Sequence, residues 1–538
     1  MASPTMTLIK ENPYIIGRPI YEPELFFGRE DLFQFVADNL AKQAKVILLH
    51  GQRRIGKSSV LSQIPNFVRL PDFVFVSLSL EGQANKPLAE VLYVLASEIL
   101  AELEFAPPLV TLPDKAAFQE QPQVFAEVFL PQVYRALGGK KLVLLLDEFD
   151  VLHSNAPDTA VVQFFPYLHE VVDRHEPLFM IPVVGRRLND LPNLLNLFRE
   201  APYQEVGLLK PNPTYRLITE PARGVLHYHA DALEAILDLT AGHPYFTQVL
   251  CFAIFTQARE RQQWQVQRAD VAAVIDLAIE IGEGGLAWFR DGLPIPERVV
   301  LSAVAESQRQ RAQDPHRATD LLTLLRQQGV EPTETLYQAG WNLMEWNFIH
   351  PPAWPVSDHP RHVYEVTIDL VRRWLVKRYP LSREIWELEK LDPDAQRLYE
   401  QASHWHQTGD LCAAIAAYEQ ALSHNPNHFS SLFELVAAYG AANRGDRVRD
   451  LYPRLLLVDP VRAAGLAPFP ALLPASPPVT QHPAIPSLAE RIAEYETKIA
   501  QERRKPTPNL NLIKHWQASI QVFEQRIQQL RQRQESRS

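Results

Sequence analysis

The chain has 538 residues, enough for about three to four domains that each bury a core, and a formal net charge of −10. A composition of 46% hydrophobic and 22% charged residues excludes wholesale disorder, and the acidic balance disfavours a sequence-independent grip on nucleic acid. Proline is in excess, 44 against 21 glycines, and without a G-x-y period it reads as punctuation and linker rather than collagen.

Residues 1–210 alternate short β-rich runs with helical patterns. The runs Val46–His50, Phe73–Leu78, Leu142–Asp147, Leu178–Val184 and Gln204–Leu208 are largely apolar, as strands of a parallel sheet covered on both faces should be. Residues 211–290 read as wholly helical. Residues 295–380 mix helices (Glu297–Glu306, Ala318–Gln328, Thr333–Asn347) with two short extended segments near Phe348–His350 and Val363–Val366. Over 388–465 an internal repeat emerges. Asp392-Pro393, Asn425-Pro426 and Asp459-Pro460 recur every 33 or 34 residues, Trp405 and Tyr439 are 34 apart, and so are Tyr418 and Tyr452. With small Ala402, Ala414 and Ala421 at close helix approaches, this looks like a pair of tetratricopeptide repeats, the second degraded by Val436, Val448 and Leu455. A Pro/Ala-rich linker spans 466–486. In 487–538, Ile513, Trp516, Ile520, Phe523, Ile527 and Leu530 form an a/d seam, which predicts a C-terminal helical hairpin.

The chemistry sits at Gly51-Gln52-Arg53-Arg54-Ile55-Gly56-Lys57-Ser58, followed by Ser59. The spacing is GxxxxGK[ST] between a predicted strand and a predicted helix. Glycines there let backbone N–H groups wrap phosphate oxygens at a helix N-terminus. Lys57 would reach the terminal phosphates of ATP or ADP, and the Ser58 hydroxyl would ligate Mg²⁺. About 90 residues on, the apolar strand LVLLL ends in Asp147 and Glu148. Asp147 is placed to hold the Mg²⁺ shell, and Glu148 to polarise an attacking water. Asp150 reads better as a helix N-cap. Of Arg186 and Arg187, after the fourth strand, Arg186 is the choice for a γ-phosphate sensor, with a solvated or acid-paired loop arginine the equal alternative. Arg53 and Arg54 could face phosphate, a neighbouring subunit or solvent.

Phe26-Phe27-Gly28-Arg29-Glu30, GQRRIGKSS, LLLDEFD, VVGRR and LTAGHPYFTQ follow one another in that order. Together they resemble the AAA-like ATPases of the STAND group, signal-transduction ATPases with numerous domains, over roughly residues 12–378. The resemblance implies that Gly28 and Arg29 lie on the adenine side of the nucleotide. It also implies that Gly242-His243-Pro244 of a helical lid closes on it. From the residues alone Pro244 fits the first turn of a helix, and His243 is more readily structural than a phosphate ligand.

Residues 295–380 resemble the winged helix that follows the lid in that group. The segment 295–378 is charge-neutral, and its third helix lacks Lys and Arg, so DNA is a poor partner and an intramolecular role is favoured. The expected fold is therefore a multidomain α/β P-loop NTPase core with a parallel sheet. A helical lid, winged helix, TPR-like α-solenoid and C-terminal helical hairpin follow. The expected function is an ATP-driven signalling switch of slow hydrolysis. Protein partners would dock on the repeats and the hairpin, with homo-oligomers a further expectation, and the resemblance points to bacterial defence or regulated cell death. A DNA-acting ATPase of origin-loading or transposition type, and a non-hydrolysing scaffold, are the alternatives. Cys251 and Cys412, both in apolar helical patterns, exclude a disulfide framework. No signal pattern opens the chain, and no apolar run reaches membrane-spanning length, so the expectation is cytoplasmic.

Overall fold

The computed structural model describes residues 11–83, 86–105, 109–149, 160–185, 200–314, 320–351 and 363–466. Arg186, Asp150, the linker from 467 onward and the predicted hairpin of 487–538 lie outside these residues. The chain divides into two compact units, one ending at Leu391 and the other beginning at Asp392.

The first unit is built on five parallel strands: β1 (Leu48–His50), β2 (Phe73–Ser79), β3 (Lys141–Asp147), β4 (Leu178–Val184) and β5 (Tyr203–Glu205). Their order is β2-β3-β4-β1-β5, with Leu49 opposite Val183 and Leu146 opposite Pro182. The alternation within the apolar runs explains why both faces are covered. Leu142, Leu144 and Leu146 pack with Leu78, Met180 and the helix Leu88–Leu103 on one face. Val143 and Leu145 join Ile47, Leu49, Ile181 and the helices Glu30–Ala41 and Lys57–Phe67 on the other. No polar side chain interrupts either layer of β3, so chemistry on this sheet is confined to its strand ends.

Residues 211–291 are helical apart from a two-residue ladder, His227–Tyr228 with Gln265–Val266. Their core gathers around the long helix Pro244–Arg261, which buries Val249, Leu250, Cys251, Ile254 and Phe255. Cys251 is buried, whereas Cys412 is exposed, so the apolar pattern around Cys412 does not bury its thiol. Further on, the helices Ile295–Gln313, Leu321–Gln327 and Glu334–Glu345 precede an antiparallel pair, Ile349–His350 with Glu365–Val366, and the helix Asp369–Arg378. The exposed side of Glu334–Glu345 carries Tyr337 and Trp341, and its buried side Leu336, Ala339 and Leu343.

In the second unit, Pro393–Thr408 pairs with Leu411–His424 and Phe429–Ala441 with Gly445–Val458, before the short helix Pro460–Gly465. Asp392 and Asp459 cap their helices by accepting from the next backbone N–H groups, with proline at the first helical position. Asn425-Pro426 differs: Asn425 ends a helix, and His428 caps the next one by accepting from the Ser431 N–H. Ala402, Ala414 and Ala421 are fully buried. Tyr439 is buried, but Trp405, its counterpart one period earlier, is 37% exposed, so the repeat in sequence is not a repeat in environment.

Among the described residues no helix is long and apolar enough to cross a membrane.

Candidate nucleotide site

A cavity of about 650 Å³ opens where β1, β2, β3 and β4 end. Its floor is the loop between β1 and the helix Lys57–Phe67, of which Arg53 through Ser59 line the space. The local sequence dictates this path. A Cβ at Gly51 would stand 2.5 Å from the Val206 carbonyl oxygen, so only glycine lets the loop leave β1 that close to its neighbour. Gly56, with φ of +94°, makes the left-handed turn that starts the helix, whose first N–H groups then face the cavity. Arg54 is also left-handed, at φ of +63°.

The second acidic wall comes from β3. Glu148, at φ of +53°, lines the cavity, while Asp147 stands beside it and accepts from the Glu148 N–H at 3.0 Å. Glu81, after β2, and Gly185, after β4, complete this side. Five basic side chains (Arg18, Arg29, Arg53, Arg54, Lys57) line the cavity against two acids, Glu81 and Glu148. In a chain of net charge −10, that local excess of positive charge suits a polyphosphate. Arg29 donates to the Ile55 carbonyl at 3.3 Å, and burial pushes its pKa down to about 10, partly offset by Glu205. Lys57 Nζ donates to the Gln52 carbonyl at 3.0 Å.

The lid supplies the opposite wall. Pro244, Tyr245 and Gln248 come from the first turns of Pro244–Arg261, and Trp288 from the helix Glu283–Asp291. The Arg53 guanidinium lies 5.1 Å from the Trp288 ring and that of Arg54 5.5 Å from Tyr245, so both loop arginines face lid aromatics.

Five residues expected at the nucleotide stand behind this wall rather than in it: Gly28, Gly51, Gln52, Gly242 and His243. Gly28 and Gly242 serve close backbone packing. Their added Cβ atoms would come within 2.8 Å of Pro213 and 2.4 Å of the Leu209 carbonyl oxygen. His243 is fully buried beside Phe246 and Phe289, neither ring nitrogen has a hydrogen-bond partner among the described residues, and burial lowers its pKa to about 3. It is a neutral core residue here, as its sequence context suggested.

No sequence pattern marks a strap, Ile15 to Ile20, that lines the cavity from the N-terminal side. Ser59, Ser62 and Gln63 of the loop's own helix hold it: the Ile20 N–H donates to Ser59 Oγ at 3.0 Å, and Ser62 Oγ and Gln63 Nε2 donate to the Ile20 carbonyl. Asn12 and Tyr14 pin the preceding residues to the lid through the Phe252 and Ile218 carbonyls.

Ser58 and Asp147, the residues expected to hold Mg²⁺, offer only oxygen donors, which suit Mg²⁺ rather than a softer metal. A parallel sheet with this loop at the head of one strand and paired acids at the end of another defines a P-loop NTPase fold. Residues 21–274 match the family model described as Novel STAND NTPase 1. That span is just under half of the chain, and over it the sequence is similar to STAND-type P-loop NTPases. No curated protein matched the chain. Among solved structures, a Walker-type ATPase of Pyrococcus abyssi is similar at 17% identity, covering 66% of this chain and 98% of its own, with a TM-score of 0.46. Drosophila ORC bound to DNA is similar at 13% identity, over 68% and 90% of the two chains, with a TM-score of 0.37. The Thermotoga maritima RuvB Holliday junction branch migration motor is similar at 14%, over 62% and 93%, with a TM-score of 0.32. These are distant likenesses, and nothing about this chain's partners follows from them.

Proposed function

We propose that the protein is an ATP-dependent signalling switch. ATP or ADP with Mg²⁺ binds in the cavity, and the bound species sets how residues 211–291 and 295–380 seat on the sheet. The observation that carries this reading is that loop and lid share one cavity: Arg53 and Arg54 meet Trp288 and Tyr245 across it. A ligand entering there must change the loop–lid contacts, and only such differential contact can shift a conformational equilibrium.

Lys57 binds the terminal phosphates, Ser58 and Asp147 hold the Mg²⁺, and Glu148 takes a proton from the attacking water. Held by Ser58 and Asp147, Mg²⁺ would supply charge neutralisation at the phosphates. Arg186, outside the described residues, is the proposed γ-phosphate sensor. Released from the closed arrangement, the chain assembles with itself and recruits a protein through the TPR-like helices of 392–465 and the segment 487–538. A winged helix of 295–380 acts within the chain, since the outer face of Glu334–Glu345 offers Tyr337 and Trp341 and no basic residue to a DNA groove.

Sizing the purified chain with ADP and then with a non-hydrolysable ATP analogue tests the switch. A nucleotide-dependent change in assembly or hydrodynamic radius is expected; identical profiles would refute it.

A further inference from the structure

Of the lid residues that line the cavity, Gln248 is buried, polar and only half satisfied. It sits one turn into the helix Pro244–Arg261 and is 7% exposed. The Ile15 N–H of the strap donates to Gln248 Oε1 at 3.3 Å. An N–H can be met only by the amide oxygen, so this bond settles which way the amide is turned. The Nε2 group, with two donors, has no partner among the described residues. A donor so nearly buried and without an acceptor is costly to keep, and a ligand that brings an acceptor atom removes that cost.

The strap holds this arrangement from both ends. Tyr14 donates to the Ile218 carbonyl on the lid side, and Ile20 is bonded to Ser59, Ser62 and Gln63 of the helix after the phosphate loop. Pro244 stands over the loop turn, since a Cβ at Gly56 would lie 3.8 Å from its Cγ. Gln248, four residues on, lies about 6 Å farther along the helix axis. There the cavity is lined by Ile15, and its apolar lining continues through Phe27, Leu209 and Leu217, which pack as one small cluster. A neutral amide beside apolar side chains suits the nucleoside part of a nucleotide, whereas Lys57, Ser58 and Glu148 form the charged end of the cavity.

We propose that Gln248 is a specificity-determining residue, whose side-chain amide donates to an acceptor atom of the bound nucleoside, a purine ring nitrogen or a ribose hydroxyl oxygen. The proposal rests on the nucleotide reading of the cavity and assigns that site a contact to the nucleoside rather than to phosphate. Ile15 acts as the positioning residue: it holds the amide by its oxygen and so leaves the donors for the ligand. A Gln248 that served only to pin the strap would, when replaced, weaken every nucleotide alike. A donor to one atom weakens only the ligands that carry that atom.

The test uses the full chain as wild type, as Gln248→Met, which keeps the length and loses the amide, and as Gln248→Glu, which keeps an oxygen for Ile15 and loses the donors. Affinities are read by calorimetry with Mg²⁺ for ATP, inorganic tripolyphosphate, 2′-deoxy-ATP, 3′-deoxy-ATP and the deaza-ATP forms in which N1, N3 or N7 is carbon. Gln248→Met should bind ATP about 2- to 10-fold more weakly, the scale of one net hydrogen bond, and tripolyphosphate as the wild type does. In Gln248→Glu the ratio of ATP to tripolyphosphate affinity should fall by a similar factor, the ratio cancelling the general repulsion of the new charge. One analogue should bind the wild type about 2- to 10-fold more weakly than ATP and lose nothing further in Gln248→Met. A deoxy form in that place assigns the contact to ribose, a deaza form to the base. Unchanged ATP affinity in Gln248→Met, an equal loss for tripolyphosphate, or an equal loss for every analogue would overturn the proposal. A wild type that binds neither ATP nor tripolyphosphate would instead remove the nucleotide reading itself.

Discussion

The two sides of the cavity are built in different ways. The phosphate side is one continuous stretch, Arg53 to Ser59, with Glu148 arriving at the end of a single apolar strand. The other side is assembled from Ile15–Ile20, Phe26, Leu209, Leu217, Tyr245 and Trp288, residues spread over more than 270 positions. Chemistry that needs a helix N-terminus and a lysine at fixed spacing can be written locally. The opposite wall comes from separate elements, and the core around Val249 and Phe255 is distinct from either face of the sheet. The contrast implies that changes on the phosphate side alter chemistry and affinity, while changes on the lid side alter closure and stability.

The largest effect should come from Glu148→Gln. Removing the base should slow ATP turnover by roughly 100-fold or more while ATP still binds, measured by phosphate release against equilibrium binding. Lys57→Ala should weaken ATP by roughly 10- to 150-fold, the scale of a charge-assisted hydrogen bond, without lowering the melting temperature. A lowered melting temperature in either variant, with turnover and binding intact, would break the division between the two sides.

On the lid side, Arg290 is nearly buried, bonds to the buried Glu384 and Asp291, and lies 3.9 Å from the Tyr379 ring. Arg290→Met strands Glu384 without its partner and should cost about 3–5 kcal/mol in chemical denaturation. Trp288→Ala removes the ring under Arg53 and should change ATP affinity by only about 2- to 10-fold.

His243 sharpens the same contrast through pH. Its pKa falls from 6.5 to about 3 in the folded chain, so between those values the unfolded chain binds the extra proton. Its contribution to stability is whole above about pH 6.5 and declines as the pH drops toward about 3. His243→Leu should fold with a shallower loss of stability across that window, read by denaturation at several pH values. An unchanged slope would show that the imidazole is not held neutral.

Much of this was legible in the sequence. The five apolar runs became the five strands, although Val46 pairs only as an isolated bridge with Met180 and β5 shortens to Tyr203–Glu205. The runs of β3 and β4 were readable because strands buried on both faces leave few polar positions to obscure them, whereas β5 is exposed along its length. The Gly242-His243-Pro244 motif marked the start of the lid helix, but which atoms face the cavity depends on how Leu209 packs against Gly242, and that is tertiary. The strap at Ile15–Ile20 carries no periodicity, because serine and glutamine side chains from a different element hold it. The hydrogen bond from the Gln52 side chain to the Trp346 carbonyl joins residues 294 positions apart, and no local pattern could have announced it.

The central claim is that the cavity above Lys57 binds ATP. Titrating the full chain with a fluorescent ATP analogue, and competing with unlabelled ATP, tests it most directly. One saturable site per chain, displaced by ATP and weakened at least about 10-fold by Lys57→Ala, is the expected result. Absence of saturable binding, or binding that Lys57→Ala leaves untouched, would contradict it.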